Sequence, residues 1–182
     1  MHPKRRTRPD GQSGADVRKS TPSQSPEKRV SALTVQARQR IMRDIQDIRK
    51  NPLQSCLPDF SADSLEQFTV YLEGPKDSIY EEEKFTLRFH FLECYPLDAP
   101  IVQFIPPMVP KHEHIYSNGH ICLSILGDEW SPALGIRSVV MSILSMLSSS
   151  KEKKTPPDDD EYMLEAPSNP QETQWDYHDA EC

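Results

Sequence analysis

The sequence predicts an α+β fold, on two observations about the order of its apolar patterns. Two stretches with helical periodicity enclose a series of short, strand-like runs. The connections between these runs are short, as in an antiparallel meander, whose strands need no crossover helix. Helices that stand before and after such a sheet, instead of alternating with its strands, are typical of α+β proteins.

The first helical pattern begins shortly after Ser31, where a polar segment gives way to regularly spaced apolar residues. Its apolar residues are predicted to share one face; they are Val35, Ile41, Met42, Ile45 and Ile48. Asn51-Pro52 predicts the end of this helix. We interpret residues 53–66 as a loop.

Three strand-like runs follow. Residues 68–72 are rich in β-forming side chains and end at the turn pair Gly74-Pro75. Residues 84–91 alternate between apolar and polar side chains, which predicts a strand with one buried face. Residues 101–105 form the third run. A weaker strand near residues 65–72 is an alternative division of the first run.

The second helical pattern, residues 134–147, is strongly apolar and predicts a helix buried along one side. Ser131-Pro132 is its expected entry signal. A short helix is also expected around residues 159–166. Between the strands and the long helix, residues 106–130 are irregular, and long ordered loops of this kind tend to be functional.

Composition excludes several classes of protein. Charged residues make up 27% and hydrophobic residues 36% of the chain, and no run reaches the roughly 20 apolar residues of a membrane span. We expect a soluble protein with neither a membrane segment nor a secretory signal. The four cysteines include no CxxC pair, so we expect free thiols and no metal site.

Charge is distributed unevenly along the chain. Residues 1–30 carry eight Lys/Arg and three Asp/Glu, a balance of +5, whereas the whole chain has a net charge of −7. The remaining residues therefore carry −12, which argues against nucleic acid as a partner.

Three segments are predicted: a disordered basic tail (1–30), a folded domain (31–160) and an acidic C-terminal extension (161–182). The basic run Pro3–Arg8 is either a nuclear-import signal or a solvated part of the tail. We expect the protein in the nucleus and cytoplasm.

Cys122 is the candidate nucleophile. It follows the turn pair Asn118-Gly119, which is expected to present it on a short, accessible segment with Ile121 and Leu123 facing the body. The residues alone leave a second interpretation open, because an isolated cysteine among aliphatic neighbours is more often a buried structural thiol.

A resemblance to a known family favours the nucleophile. From residue 32 to about 160 the chain resembles the ubiquitin-conjugating enzymes in a series of ordered landmarks. These are the opening helix Gln39–Ile48, Asn51-Pro52, the Leu72–Pro75 turn, Tyr80, the run 85–91, Tyr95–Pro100, Asn118–Leu123 and Trp130–Leu134. Four features resemble the W-type branch: His112-Glu113-His114, Cys122-Leu123-Ser124, the insertion Ser150–Lys154, and the tail Trp175–Asp179.

The resemblance implies a fold and a reaction. The fold is a helix, a four-stranded antiparallel meander, an active-site loop and a second core helix. In the reaction an activating enzyme uses ATP to load ubiquitin on Cys122 as a thioester, and an acceptor amine then attacks with a RING-type or U-box ligase bound. No cofactor is implied. The W-type resemblance also implies substrates with flexible N-termini.

Three histidines and one asparagine surround Cys122 in the sequence. His114 stands where the family has an asparagine, and it either donates an N–H to the oxyanion or only braces the loop. His112 and Asn118 are expected to support the loop. His120 is also expected to support the loop, as a solvated histidine of the turn. The alternative is that it accepts a proton near neutral pH.

Acidic residues at the site depart from the family pattern. Ser124 replaces an acidic residue that helps many relatives receive lysine, and Asp159 aligns with a second acidic residue of the catalytic site. A peptide α-amine has a pKa of about 7.7–8.0 and a lysine amine about 10.4, so the α-amine needs less help in losing its proton. Loss of the acid at Ser124 is therefore compatible with a protein N-terminus as acceptor.

The resemblance also implies a ligase-binding surface. Leu97, Pro132 and Ala133 are expected to form an apolar patch, with Arg40 and Arg43 beside it. Leu97 could instead belong to the core. Farther along, Trp175 and Tyr177 either fold back on the domain or bind acceptor chains.

Two other functions are alternatives to the conjugating enzyme. One is a non-catalytic ubiquitin-binding adaptor with the same fold, in which Cys122 would be unreactive. The other is a cysteine hydrolase, which would need a base oriented by a third group.

Overall fold

The structure, a computed structural model, describes residues 33–60 and 64–175. The predicted tail (1–30) with its basic run Pro3–Arg8 lies outside the described residues, and so does Tyr177. In the described part of the chain, no helix is both long enough and apolar enough to span a membrane.

Helix α1, Val35–Lys50, opens at a side-chain cap, because Thr34 Oγ1 accepts a hydrogen bond from the Ala37 N–H at 3.1 Å. It ends at Lys50 with Asn51 as its C-cap, as Asn51-Pro52 predicted. Its buried residues are Ala37, Ile41, Ile45 and Ile48. Val35 and Met42, expected on the same face, are 70% and 41% exposed. At about 100° per residue both lie well to one side of the isoleucine stripe.

Four strands form one antiparallel sheet in chain order, which confirms the meander and the α+β class. They are β1 (Cys56–Asp59), β2 (Gln67–Glu73), β3 (Lys84–His90) and β4 (Ile101–Phe104). Val70 pairs with Leu87, and Leu87 pairs with Phe104. These three side chains are buried, so the predicted alternation of β3 corresponds to a single core-facing side of the sheet.

Strand β1 corrects the prediction of a loop over residues 53–66. Its four residues pair with β2, from Cys56 opposite Leu72 to Asp59 opposite Thr69. Pro58 and Asp59 are poor strand formers, and proline is tolerated only at a sheet edge, where its missing N–H is not needed by a second neighbour. Tertiary pairing, rather than local preference, makes this strand.

Two further helices complete the fold. Helix α2, Ile136–Ser149, buries Val139, Val140 and Ile143 in the same apolar core as α1 and the sheet. Helix α3, Asp159–Glu165, spans the expected boundary between residues 160 and 161. Short 3-10 helices lie at Ser124–Leu126 and Pro170–Glu172.

Candidate active site

The turn before Cys122 is fastened to the edge of the sheet. Gly119 has a φ of 90°, and a Cβ there would lie 2.0 Å from the Phe104 carbonyl oxygen. Its N–H donates to the Tyr116 carbonyl and its own carbonyl accepts from the Phe104 N–H, both at 2.8 Å. Only glycine satisfies both the backbone angle and the close approach. The predicted turn is therefore held directly against β4.

Cys122 lies between two loops and is less accessible than expected. Its side chain is 7% exposed, and its N–H donates to the His114 carbonyl at 2.9 Å. Ile121 and Leu123 are buried, as expected. A charged Cys122 would help to raise the pKa of the Tyr116 and Tyr162 hydroxyls, although burial is the main cause. The charge of Cys122 therefore acts on both phenols, an influence that the sequence pattern did not indicate.

His112 supports the loop through its side chain. Its Nδ1 accepts a hydrogen bond from the His114 N–H at 3.0 Å, and the residue is 3% exposed. Burial is the main cause that lowers the pKa of His112 to about 4. The imidazole is therefore neutral near pH 7, as its role of acceptor requires.

His114 has a different position from His112. Its backbone joins His112 to Cys122, because its N–H donates to the former and its carbonyl accepts from the latter. Its imidazole is half-buried, lines a groove and makes no hydrogen bond to the described residues. The backbone of His114 thus braces the loop, while its ring is available as a donor.

His120 is buried, not solvated. It is 5% exposed, and burial lowers its pKa. The His120 N–H donates to Asn118 Oδ1 at 3.0 Å, which orients that amide so that its NH2 faces His120 Nδ1 at 3.3 Å. Tyr162 Oη lies 2.9 Å from the same nitrogen.

These contacts assign the tautomer of His120. An amide NH2 can only donate, so Nδ1 is the acceptor and the proton is on Nε2. With one nitrogen protonated and the other hydrogen-bonded, His120 is poorly placed to accept a proton from a substrate. Its contacts are those of a loop-supporting residue, and Asn118 acts with it.

The two aspartates after the insertion hold the turn that precedes Cys122. Both oxygens of Asp159 accept from Ser117, from its N–H at 2.8 Å and from its hydroxyl at 2.5 Å. Asp158 accepts from the Tyr116 hydroxyl with both oxygens at 3.1 Å. The Asp159 carboxylate is 9% exposed and engaged at both atoms, so its geometry is that of a positioning group rather than a free acid.

Ser124, the departure from the family's acidic residue, is itself bonded to an acid. Its hydroxyl donates to Glu129 Oε2 at 2.6 Å. Glu129 was not singled out by the sequence pattern, because no periodicity relates it to Cys122.

The C-terminal segment folds back on the site. Trp175 packs against Tyr116 and Tyr162 with ring centroids 5.5 Å from each, and the two tyrosine rings are 4.1 Å apart. Tyr162 Oη also lies 2.9 Å from Thr173 Oγ1. Of the two expectations for Trp175, the structure supports folding back.

The predicted ligase surface is divided between exposed and buried groups. Leu97 is 73% exposed, which excludes the core for it, and Pro132, Ala133 and Arg43 are exposed too. Arg40 differs, because its guanidinium donates to the Pro132 and Leu134 carbonyls and to Asp44. Arg40 therefore positions the Pro132–Leu134 loop and offers little free surface of its own.

Other potential ligands form no site. Cys56 and Cys94 are free thiols, and burial raises the pKa of Cys56 to about 11. Over residues 33–60 and 64–175, no group of three or more His, Cys, Asp or Glu side chains is arranged to hold a metal ion.

Comparison with known proteins identifies the family. The family "Ubiquitin-conjugating enzyme" matches residues 40–177. The "Ubiquitin-conjugating enzyme E2 W" of Caenorhabditis elegans is 45% identical over 145 residues, which are 79% of this chain and 95% of that protein. "Probable ubiquitin-conjugating enzyme E2 W-A" of Danio rerio is 48% identical over 119 residues, 65% of this chain and 79% of that protein.

A solved structure agrees with the sequence relatives. The crystal structure of ubiquitin-conjugating enzyme E2 UbcA1 from Agrocybe aegerita superposes with a TM-score of 0.71 at 38% identity. The match covers 75% of this chain and 99% of that one. The chain therefore belongs to the ubiquitin-conjugating enzymes, in the branch of the E2 W enzymes.

Proposed function

We propose that Cys122 carries ubiquitin as a thioester and that the enzyme transfers it to the α-amino group of substrate N-termini, with a RING or U-box ligase bound. Enzymes of this family form thioester intermediates and work with ubiquitin, an activating enzyme and ligases. The residue, the acceptor and the type of ligase are the proposed parts. We also propose that it works in the nucleus and cytoplasm.

The observation that carries the proposal is the position of Cys122. It follows a turn that is fixed to β4, and its backbone is tied to His114, whose imidazole is free to donate. A neutral imidazole N–H aimed at a developing oxyanion would stabilise the tetrahedral intermediate. The C–N bond forms as the amine attacks, and collapse of the intermediate breaks the C–S bond and releases the Cys122 thiolate while the nitrogen gives up a proton.

The acceptor is inferred from the acids that the site does not offer. Position 124 is a serine, and Asp159 is engaged by Ser117 with both oxygens. A lysine amine, with a pKa of about 10.4, needs more help in losing its proton than an α-amine at about 7.7–8.0. A site in which neither position 124 nor Asp159 offers a free carboxylate is better suited to the α-amine.

A loading assay tests the carrier residue. Activating enzyme, ATP and ubiquitin are mixed with the native protein or with Cys122→Ala, and the products are run on reducing and non-reducing gels. We expect an adduct that is cleaved by thiol in the native protein and absent from the variant. A folded native protein without an adduct, beside an activating enzyme that loads another carrier, would favour the adaptor function.

A discharge assay tests the acceptor. Loaded enzyme is offered a lysine-free peptide with an open N-terminus, or the same peptide acetylated at its N-terminus and carrying one lysine. We expect transfer to the first and little to the second. Equal or preferred transfer to lysine would contradict the proposed acceptor.

A further inference from the structure

The insertion Ser150–Lys154, which follows α2, is attached to the loop that precedes Cys122. Lys154 Nζ lies 2.9 Å from Glu113 Oε2. Both residues line the groove that His114 also lines, and His114 is the next residue after Glu113 in the chain. The ion pair therefore joins the insertion to the neighbour of His114.

The insertion is itself fixed by its other lysine next to Lys154. Lys153 forms an ion pair with Glu83, in the connection between β2 and β3, and its Nζ lies 5.4 Å from the centre of the Tyr80 ring. The Tyr80 side chain is buried, and its hydroxyl donates to the Lys111 carbonyl at 2.6 Å. Lys154 therefore follows a residue that is attached to the folded domain.

The residues on either side of Glu113 are held by hydrogen bonds, whereas Glu113 is held by charge. His112 Nδ1 accepts from the His114 N–H at 3.0 Å, and the His114 carbonyl accepts from the Cys122 N–H at 2.9 Å. Among the described residues, the Glu113 carboxylate forms an ion pair with Lys154 alone. The insertion thus restrains the residue that lies between the two histidines.

Both members of this ion pair are charged near neutral pH. The hydrogen bond to Lys154 is the main cause that lowers the pKa of Glu113, and the same bond is the main cause that raises the pKa of Lys154. The Glu113 and Lys154 side chains are 45% and 56% exposed. Exposed ion pairs contribute little to the free energy of unfolding, so we expect this one to affect the position of the loop and not the stability of the fold.

We propose that Lys154 is a positioning residue of the transfer reaction, which acts on His114 through Glu113. The ion pair restricts the backbone between His112 and His114, so that the His114 imidazole keeps its direction relative to Cys122. This inference rests on the proposed functions of Cys122 as carrier and of His114 as donor to the oxyanion. A donor that is already aligned needs no reorganisation when charge develops on the carbonyl oxygen. Loss of the ion pair should therefore slow the chemical step and leave acceptor binding unchanged.

The test is a single-turnover discharge of ubiquitin from the loaded full chain to the lysine-free peptide, without ligase and across a range of peptide concentrations. Each protein is loaded to completion first, so its rate of loading does not enter. Lys154→Glu replaces the attraction to Glu113 by repulsion. We expect the maximal rate to fall about two- to fivefold, as for loss of an exposed ion pair, and the half-saturating peptide concentration to stay the same.

Exchange of the two charges separates the ion pair from the individual residues. Glu113→Lys should lower the maximal rate as Lys154→Glu does, and the double variant with both substitutions should recover most of it. Lys151→Glu is the matched control, because Lys151 lines the same groove and forms no ion pair with the described residues. It should discharge at the native rate. A double variant as slow as the single ones, or an equal defect in Lys151→Glu, would overturn the inference.

A second cycle tests whether Lys154 acts through His114. In a His114→Ala background, Lys154→Glu should slow discharge no further, and an additional loss there would refute the inference. Amide hydrogen exchange of the unloaded chain, measured by NMR, gives a readout without chemistry. The His114 and Cys122 amides should exchange faster in Lys154→Glu than in Lys151→Glu, and equal exchange in the two variants would count against a restrained loop.

The remaining outcomes separate this inference from the proposed function. Native kinetics in Lys154→Glu, with slow discharge by His114→Ala, would refute the role of Lys154 and leave the proposed function in place. A native chain that transfers ubiquitin only to lysine would refute the proposed acceptor, and the same variants then test Lys154 with the lysine peptide. A higher half-saturating concentration with an unchanged maximal rate in Lys154→Glu would assign Lys154 to acceptor binding and overturn the inference.

Discussion

The histidines around Cys122 differ in what their ring nitrogens contact. His112 and His120 are buried and use Nδ1 as an acceptor, whereas the ring of His114 has no hydrogen bond to the described residues. Burial lowers the pKa of the first two. Two histidines therefore hold the loop in their neutral form, and the third, His114, is the one that we propose as the donor to the oxyanion.

Acid should destabilise the protein through His112. Its pKa is about 4 in the folded state and 6.5 in the unfolded chain, so protons bind the unfolded state more strongly. Its contribution is fully present above about pH 6.5 and is lost as the pH falls toward 4, at a cost of up to about 3 kcal/mol. Denaturant unfolding of the native protein across this range measures the loss.

A variant isolates the His112 contribution. In His112→Asn, the amide oxygen can still accept from the His114 N–H, but the side chain no longer titrates. The variant should be less stable at pH 7, because volume is lost, yet its stability should fall less steeply with acid. Parallel pH curves for the two proteins would refute the assignment, since the carboxylates contribute equally to both.

Leu97 should matter for ligase response and not for loading. At 73% exposure its side chain contributes little to the core, so Leu97→Ala should leave folding intact. We expect ligase-stimulated transfer to fall by about tenfold or more while thioester loading is unchanged. Leu57→Ala, at a residue 71% exposed on β1, is the matched control. Equal loss of loading and transfer in Leu97→Ala would remove Leu97 from the interface.

Among the elements, α3 and the segment after it connect the C-terminal part to the catalytic turn. Tyr162 is the central residue, with His120 and Thr173 at its hydroxyl and Tyr116 and Trp175 at its ring. Tyr162→Phe should cost about 1 kcal/mol of stability through the lost hydrogen bonds. Amide hydrogen exchange over residues 159–175 should accelerate more than elsewhere.

The control for this element is Tyr71→Phe, which removes a hydroxyl from a residue 47% exposed on β2. It should leave exchange in the C-terminal segment unchanged. Unaltered exchange in Tyr162→Phe would mean that the ring contacts alone hold the segment.

The elements also differ in how far the sequence predicts them. The alternation of β3 and the apolar run of α2 persist over many residues, so their burial was predictable. Strand β1 was not, because Pro58 and Asp59 oppose a strand locally and only pairing with β2 makes one. The helical period of α1 was predicted correctly, but its buried stripe is narrower than predicted. Met42 was expected on the buried face and is partly exposed instead.

At the scale of the whole molecule, Arg40 joins α1 to the loop that carries Pro132 and Ala133. Its guanidinium contacts two carbonyls there, and its partner Asp44 also accepts from the Tyr95 hydroxyl at 2.8 Å. Arg40→Lys keeps the charge but not the planar fork. We expect the variant to respond to ligase severalfold less, although the charge is preserved.

Arg43→Lys is the comparison for Arg40→Lys. Arg43 is exposed and makes no hydrogen bond to the described residues, so a lysine should serve nearly as well there. A ligase titration of both variants distinguishes the two roles. A native response of Arg40→Lys would mean that Arg40 acts only by its charge.

The residues of the candidate site that lie close together in the sequence could be predicted. Those that only the folded chain brings together could not. Cys122, Asn118 and Ser124 stand within one short segment, so their proximity follows from the chain. Asp158 and Tyr162 reach Tyr116 and His120 from about forty residues away, and no pattern in the sequence encodes those pairs. The ordered landmarks of the family resemblance implied the fold, but not these contacts.

The packing of Trp175 on the two tyrosines provides an optical probe of the active site. Trp130 and Trp175 are the two tryptophans of the chain, and Trp130 is anchored by its indole N–H to the Pro96 carbonyl at 2.9 Å. In a Trp130→Phe protein, all indole emission would come from Trp175. Detachment of the C-terminal segment would expose that indole to water and shift its emission to longer wavelength, so that the attachment of this segment to the two tyrosines can be followed without an added label.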